Sequence, residues 1–301
     1  MSERDIADQV ADQVLAALAS GKQIAPFTAR GGLSLADAYR IPPLIRAAFE
    51  ARGERILGRK IGFTNRNIWD QYGVHAPIWG YMTDRTVSDL SPSSSFRRAS
   101  EPGVQGPGSK ALDSGPSASR RPGMTDLRCG DFAEPRIEPE IIFGLRAPPA
   151  PDMDESALLD CIAWLAAGFE IVQSIFPGWT FAPADTVAAN GLHGALLIGE
   201  RHAVAPRKAQ WLHELSTFTV DLTCNGKSID HGAAGNVLGG PLLALKHLAG
   251  MLAQDRHNAP LAAGDIISTG TLTKAFPVAP GESWTATFAG IPLAPVTLAF
   301  A

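Results

Sequence analysis

The chain has 301 residues, 45% of them apolar and 19% charged, with a net charge of −4. Such a composition supports a sizeable core and excludes global disorder, and a slightly negative chain without a basic stripe is a poor candidate for nucleic-acid binding. No apolar run is long enough to span a bilayer and the start, Met1-Ser2-Glu3-Arg4-Asp5, lacks the plan of a secretory signal, so a cytoplasmic protein with no membrane partner is expected. The three scattered cysteines, Cys129, Cys161 and Cys224, form no CxxC pair and read as reduced, the last two as core residues.

In chain order, Ile6, Val10, Val14, Leu15 and Leu18 repeat at helical spacing and predict an amphipathic first helix. Ser34-Leu35-Ala36-Asp37 opens a second with a capping-box-like start. Pro42-Pro43 then interrupts the pattern before Leu44 to Phe49 resumes it, so a kink or two short helices are expected. Residues 1–57 therefore read as a small helical domain, and 58–301 as the domain that carries the chemistry. Gly58-Arg59-Lys60-Ile61-Gly62-Phe63-Thr64 opens strand-like texture, followed by an aromatic loop holding Trp69, Tyr72, Ile78 and Trp79. From about Ser91 to Arg128 the composition falls into Ser, Pro, Gly and Arg with no apolar period. Such a stretch cannot offset its ordering entropy and reads as a disordered insertion at 91–128, or as an artefact of the recorded reading frame.

The strand Arg136-Ile137-Glu138-Pro139-Glu140-Ile141-Ile142-Phe143-Gly144 follows. Side chains two apart on a strand share a face, so Glu138 and Glu140 point the same way. Adjacent carboxylates repel unless a positive group lies between them, and a hard cation such as Mg²⁺ or Mn²⁺ suits such oxygen ligands. A solvated acidic edge is the competing reading, and Pro139, which cannot donate to a ladder, places this part of the strand at an edge or mouth of a sheet. Glu170, in the apolar run Gly168-Phe169-Glu170-Ile171-Val172, tips the choice towards a three-carboxylate metal site, because an unpaired charge there is costly.

Between these strands, Leu158, Leu159, Ile162, Leu165 and Ala166 predict a helix. Ala184 to Gly194 reads as a polar loop leading into a strand at Ala195 to Ile198. Asn225-Gly226, between Val220 to Cys224 and Lys227 to Ile229, is the strongest hairpin signal in the chain. Pro241 starts a helix through Leu242, Leu245, Leu248, Ala249 and Leu252, and two strands end the chain at Trp284 to Phe288 and Leu293 to Phe300. Strands dominate after residue 60 with helices inserted, so the class is α+β. No Walker loop, dinucleotide fingerprint or G-x-S-x-G elbow is present, and the glycines of Gly235 to Gly240 suit tight-turn packing.

Four motifs occur in order: Gly58 to Gly62, the Arg136-to-Phe143 strand, the Gly168-Phe169-Glu170 strand, and Gly264-Asp265-Ile266-Ile267-Ser268-Thr269-Gly270-Thr271-Leu272-Thr273. The series resembles the 2-keto-4-pentenoate hydratase and 4-oxalocrotonate decarboxylase branch of the fumarylacetoacetate hydrolase superfamily. The resemblance implies a mixed β-roll core with the small N-terminal helical domain, Mg²⁺ or Mn²⁺ on Glu138, Glu140 and Glu170, and a homo-oligomer that can pair with a pathway decarboxylase or hydratase. It implies Lys60 and His193 as catalytic groups, with Asn190, Thr271 and Leu272 contacting a small 2-oxo or 2-hydroxydienoic acid. The implied activity is metal-dependent hydration in aromatic catabolism. A 4-oxalocrotonate-type decarboxylase, an acylpyruvate-type hydrolase and a non-catalytic partner subunit are the alternatives. The loop at Asp185 to Gly194 departs from the family's D-T-I-A-D-N-A-S-H-G, with Ala189 for its second Asp and Leu192 for its Ser, which bears on the reaction more than on the metal.

Overall fold

A computed structural model describes residues 5–30, 32–90 and 126–301. Most of the Ser/Pro/Gly/Arg-rich stretch therefore lies outside the described residues. Its last part does not: Asp126–Leu127 form a short strand.

Three helices come first, α1 (Ile6–Ser20), α2 (Leu35–Ala38) and α3 (Pro42–Ala51). The Ser34 hydroxyl accepts from the Asp37 N–H to start α2, and Pro42 occupies the first turn of α3, where its missing N–H leaves no intrahelical bond unmade. Pro42-Pro43 thus separates two helices. The buried faces of α1 and α3 join the same apolar cluster as the strands that follow.

The strands are β1 (Ile56–Gly62), β2 (Ile78–Thr83), β3 (Val87–Asp89), β4 (Asp126–Leu127), β5 (Arg136–Leu145), β6 (Ile162–Val172), β7 (His193–Ile198), β8 (His202–Ala203), β9 (Thr219–Cys224), β10 (Lys227–Ala233), β11 (Ile266–Ser268), β12 (Phe276–Pro277), β13 (Ser283–Ala289) and β14 (Val296–Phe300). Five further helices are inserted: α4 (Trp69–Tyr72), α5 (Glu155–Asp160), α6 (Pro183–Ala188), α7 (Lys208–Thr217) and α8 (Pro241–Gln254). The larger sheet runs β2-β1-β11-β5-β6-β7-β3, with β12 also on β5 and β8 on β6; the smaller runs β10-β9-β13-β14-β4. The large sheet mixes parallel pairs (β1 with β11, β3 with β7) with antiparallel ones and curls into the half-barrel of a β-roll. Among the described residues no helix is long and apolar enough to cross a membrane.

Three local expectations are corrected. The helix read over Leu158 to Ala166 stops at Asp160, and Ile162, Leu165 and Ala166 lie in β6. Both faces of β6 are covered, Leu165 in the main core and Ala166 in a second apolar cluster with Met82, Ile142, Leu196 and Ile198. A strand buried on both sides shows no alternation, and its apolar run imitates a helical period. Pro139 does not mark an edge strand, because β5 has neighbours on both sides. Opposite Phe169, Pro139 turns its backbone towards the gap between β11 and β12, where its carbonyl accepts from the Leu272 N–H at 3.0 Å and no partner needs the missing N–H. The loop expected from Ala184 to Gly194 is partly helical, as α6 and a 3-10 turn at Asn190–Leu192.

Candidate metal and substrate site

The centre of the site is the pairing of β5 with β6. Their register sets Glu138 directly opposite Glu170, and Glu140 opposite Gly168. Directly opposed residues share a face, so three carboxylates converge, with one oxygen of each lying within 4.8 Å of the others. Glu140 and Glu170 are fully buried. Glu140 Oε2 accepts from the Ser268 hydroxyl and, at 2.8 Å, from the Gly270 N–H. Glu170 Oε1 meets His193 Nδ1 at 2.8 Å.

One oxygen on each of these two buried carboxylates, Glu140 Oε1 and Glu170 Oε2, has no hydrogen-bond partner. Lys60 Nζ stands 3.1 Å from Glu170 Oε2, a charge contact without hydrogen-bond alignment. Buried lone pairs left this way are costly unless a cation uses them, and oxygen-only ligands at this spacing suit Mg²⁺ or Mn²⁺. The residues present fit a divalent ion held by Glu138, Glu140 and Glu170. Burial, reinforced by mutual repulsion, pushes Glu138 up to about 8 and Glu140 well above the ordinary carboxylate range; burial likewise raises Glu170, against the pull of Lys60.

Lys60 lies on β1, between Ser268 of β11 and Gly80 of β2. Burial works against its charge, and the carboxylates of Glu170, Glu138 and Glu140 outweigh it, holding its pKa above the ordinary value. Its Nζ donates to the Gly191 carbonyl at 3.0 Å. That carbonyl is presented by three consecutive residues with positive φ, Asn190 (54°), Gly191 (65°) and Leu192 (62°). Only glycine adopts this region freely, and a side chain at 191 would also press on Gly80 and Lys60. Asn190 holds the turn in place, accepting from the Tyr81 N–H at 2.7 Å and donating to the Tyr81 carbonyl at 2.9 Å.

The structure gives the expected site residues different positions. Glu138, Lys60 and Thr271 line one cleft, together with Phe63, Thr64, Ile78, Trp179, Phe181 and Leu192. Asn190, His193 and Leu272 do not line it. His193 lies behind Glu170, its Nε2 2.9 Å from the Thr86 hydroxyl. Burial, then the Lys60 charge, lowers its pKa to about 3, so the ring is neutral, with Nδ1–H donated to Glu170 and Nε2 accepting from Thr86. Leu272 is fully buried against β5. Ser268, Gly270, Thr86 and Gly191 were not singled out from the sequence; two of them lie inside the quoted Gly264-to-Thr273 motif, while nothing in the pattern around Thr86 marks it.

The curled sheet thus gathers three carboxylates and a lysine at one place, of which Glu138 and Lys60 line the cleft, the donor set of a metal-binding protein. Residues 93–297 match the fumarylacetoacetate (FAA) hydrolase C-terminal family, and the chain belongs to it. It is 28% identical over 284 residues to the 2-hydroxyhexa-2,4-dienoate hydratase of Comamonas testosteroni, covering 94% of this chain and 93% of that protein. It is 28% identical over 255 residues to the 2-hydroxypent-2,4-dienoate hydratase of Pseudomonas putida, covering 83% and 97%. Its structure resembles that of 4-oxalocrotonate decarboxylase from Pseudomonas putida G7, complexed with magnesium and adipate, with a TM-score of 0.80 and 26% identity over 100% of this chain and 99% of that one.

Proposed function

We propose that the protein is a divalent-metal-dependent hydratase that adds water to 2-hydroxypenta-2,4-dienoate-type acids, using Mg²⁺ or Mn²⁺ on Glu138, Glu140 and Glu170. The observation that carries the reading is the convergence of three carboxylates in which Glu140 Oε1 has no hydrogen-bond partner and Glu170 Oε2 is met only by the Lys60 ammonium, beside a cleft largely walled by apolar side chains. When bound, the ion polarises the 2-oxo group as a Lewis acid and spreads the negative charge of the enolate. Lys60 has three donors; one is given to Gly191 and one faces Glu170, which leaves the third for the substrate's carboxylate or developing enolate oxygen. Phe63, Ile78, Phe181 and Leu192 exclude bulk water and accommodate the unsaturated tail. The proposal extends, on the family resemblance, to a cytoplasmic homo-oligomer.

One observation favours a second reading, decarboxylation of a 4-oxalocrotonate-type acid. Among the described residues that line the cleft, Lys60 and Glu138 are the titratable ones. Decarboxylation needs only the electron sink, whereas hydration also needs a group that holds water. Loss of dienol absorbance from 2-hydroxypenta-2,4-dienoate in the presence of Mg²⁺, abolished by a chelator and by Glu138→Gln, is the expected result. If folded, metal-loaded protein leaves that acid untouched and releases carbon dioxide from 4-oxalocrotonate, the second reading replaces the first.

A further inference from the structure

Hydration requires that a water molecule be held against the far carbon of the substrate's tail. Among the described residues, the lining side chains that carry a charge or a hydroxyl are Lys60, Glu138, Thr64 and Thr271. Lys60 and Glu138 belong to the charge cluster. The Thr271 hydroxyl is already committed, donating to the Thr273 carbonyl at 3.0 Å and accepting from the Thr273 N–H at 3.3 Å. Thr64 differs: it is 1% exposed, yet its Oγ1 has no hydrogen-bond partner. A buried hydroxyl left unpaired costs on the order of 1–3 kcal/mol, and evolution rarely leaves one without use.

The surroundings fix where this hydroxyl points. Thr64 follows β1 by two residues, and its carbonyl is tied to the Leu238 N–H at 3.0 Å. Its side chain packs on Gly270, where an added Cβ would come within 1.9 Å of Thr64 Oγ1. The N–H of that same glycine binds Glu140. Thr64 lines the cleft, and its Oγ1 is held against Gly270, so a side chain at 270 would displace it. Asn190 and His193, which the family resemblance implies as a substrate contact and a catalytic group, are both engaged outside the cleft.

We propose that the Thr64 hydroxyl positions the water that adds to the substrate. This rests on the hydratase reading. The dienol first ketonises: its hydroxyl proton is lost and a proton is gained at C5, giving the conjugated 2-oxo-3-enoate. Water then adds across the C3–C4 double bond, its oxygen bonding to C4 while a proton is delivered to C3. Thr64 acts in the second step only. Its oxygen accepts a hydrogen bond from the water and aims the lone pair at C4.

The test separates the two steps in wild-type, Thr64→Val and Thr64→Ser proteins loaded with Mg²⁺. Ketonisation is read by NMR as deuterium gained at C5 in D₂O, hydration as 4-hydroxy-2-oxopentanoate formed, and metal affinity by calorimetry. The near-isosteric valine should ketonise and bind Mg²⁺ as the wild type does, accumulate the 2-oxo-3-enoate, and hydrate it ~100-fold more slowly. The serine variant should recover most of the hydration rate. Undiminished hydration by Thr64→Val overturns the inference, as does parallel loss of both steps and of metal affinity, which would mark a structural role. A wild-type protein that never hydrates the acid overturns the hydratase reading itself, and this inference with it.

Discussion

Lys60, Glu170, His193 and Thr86 form a chain of contacts in which each member sets the state of the next. Glu170 holds its charge contact with Lys60 through one oxygen and accepts from His193 through the other, which fixes the His193 tautomer, and the Thr86 hydroxyl meets the remaining ring nitrogen. With its pKa lowered to about 3, His193 stays neutral throughout the working range and cannot supply a titration near neutrality. The role the geometry supports for it is to orient Glu170. His193→Ala should weaken Mg²⁺ affinity by ~10–100-fold, the usual cost of removing a group that orients a metal ligand, while the remaining activity keeps its pH profile. Calorimetry and a pH–rate series check both parts. Lys60→Met makes the opposite split. Removing a cation from beside three carboxylates should leave Mg²⁺ binding as tight or tighter, and turnover should fall by ~100-fold or more because the substrate's developing charge has lost its donor. Metal affinity and turnover lost together in that variant would show Lys60 to be a scaffold residue.

At the scale of elements, the site depends on a close approach between β2 and the 3-10 turn. A Cβ at Gly80 would lie 2.0 Å from the Asn190 carbonyl oxygen. Gly80→Ala should therefore push that turn away, withdraw the Gly191 carbonyl from Lys60, and cost about 1–3 kcal/mol of stability, with a larger loss of activity than of fold. Thermal unfolding and turnover measured on the same sample check it. This approach was not legible in the sequence, because Gly80 sits among aromatics with no hairpin signature and its partner lies 110 positions later. What was legible followed from local rules. The i, i+2 spacing placed Glu138 and Glu140 on one face, Asn225-Gly226 marked the β9–β10 hairpin, Ser34 marked a helix start, and Pro42-Pro43 marked a break between two helices. Glu170 could be suspected from its apolar neighbours, but its place opposite Glu138 is a matter of strand register, which no single segment encodes. The Leu158-to-Ala166 misreading has the same origin, since burial of β6 on both faces erased the alternation that would have identified it. Thr64 and Thr86 left no trace, because one hydroxyl in a strand-like run is ordinary until its neighbours are known.

For the molecule as a whole, the acidic cluster places the demands of binding and folding in opposition. In the metal-free protein Glu138 is held at about 8 against an ordinary 4.5, with Glu140 and Glu170 shifted the same way. The folded state binds these protons more tightly than the unfolded chain. Their contribution to stability is complete below the ordinary carboxylate pKa and is lost as pH rises through the folded values. His193 works in the other direction: its folded pKa of about 3 lies below the ordinary 6.5, so its contribution is present above 6.5 and lost as pH falls towards 3. At pH 6.5 half of the unfolded imidazoles still carry a proton, so this opposing slope fades over about the next pH unit, and the carboxylates outweigh it. Chelator-treated protein should therefore lose stability steadily from pH 6.5 to 8, by at most about 1.4 kcal/mol per pH unit for each group involved. Saturating Mg²⁺ should flatten or reverse that slope, because an ion on Glu138, Glu140 and Glu170 displaces the same protons and binds more tightly as they leave. Scanning calorimetry across this range, with and without chelator, reads both slopes. A metal-free protein whose Tm is level from pH 6.5 to 8, and a Mg²⁺ increment that does not grow with pH, would mean that the three carboxylates are ionised without the metal and that something other than the ion compensates their charge.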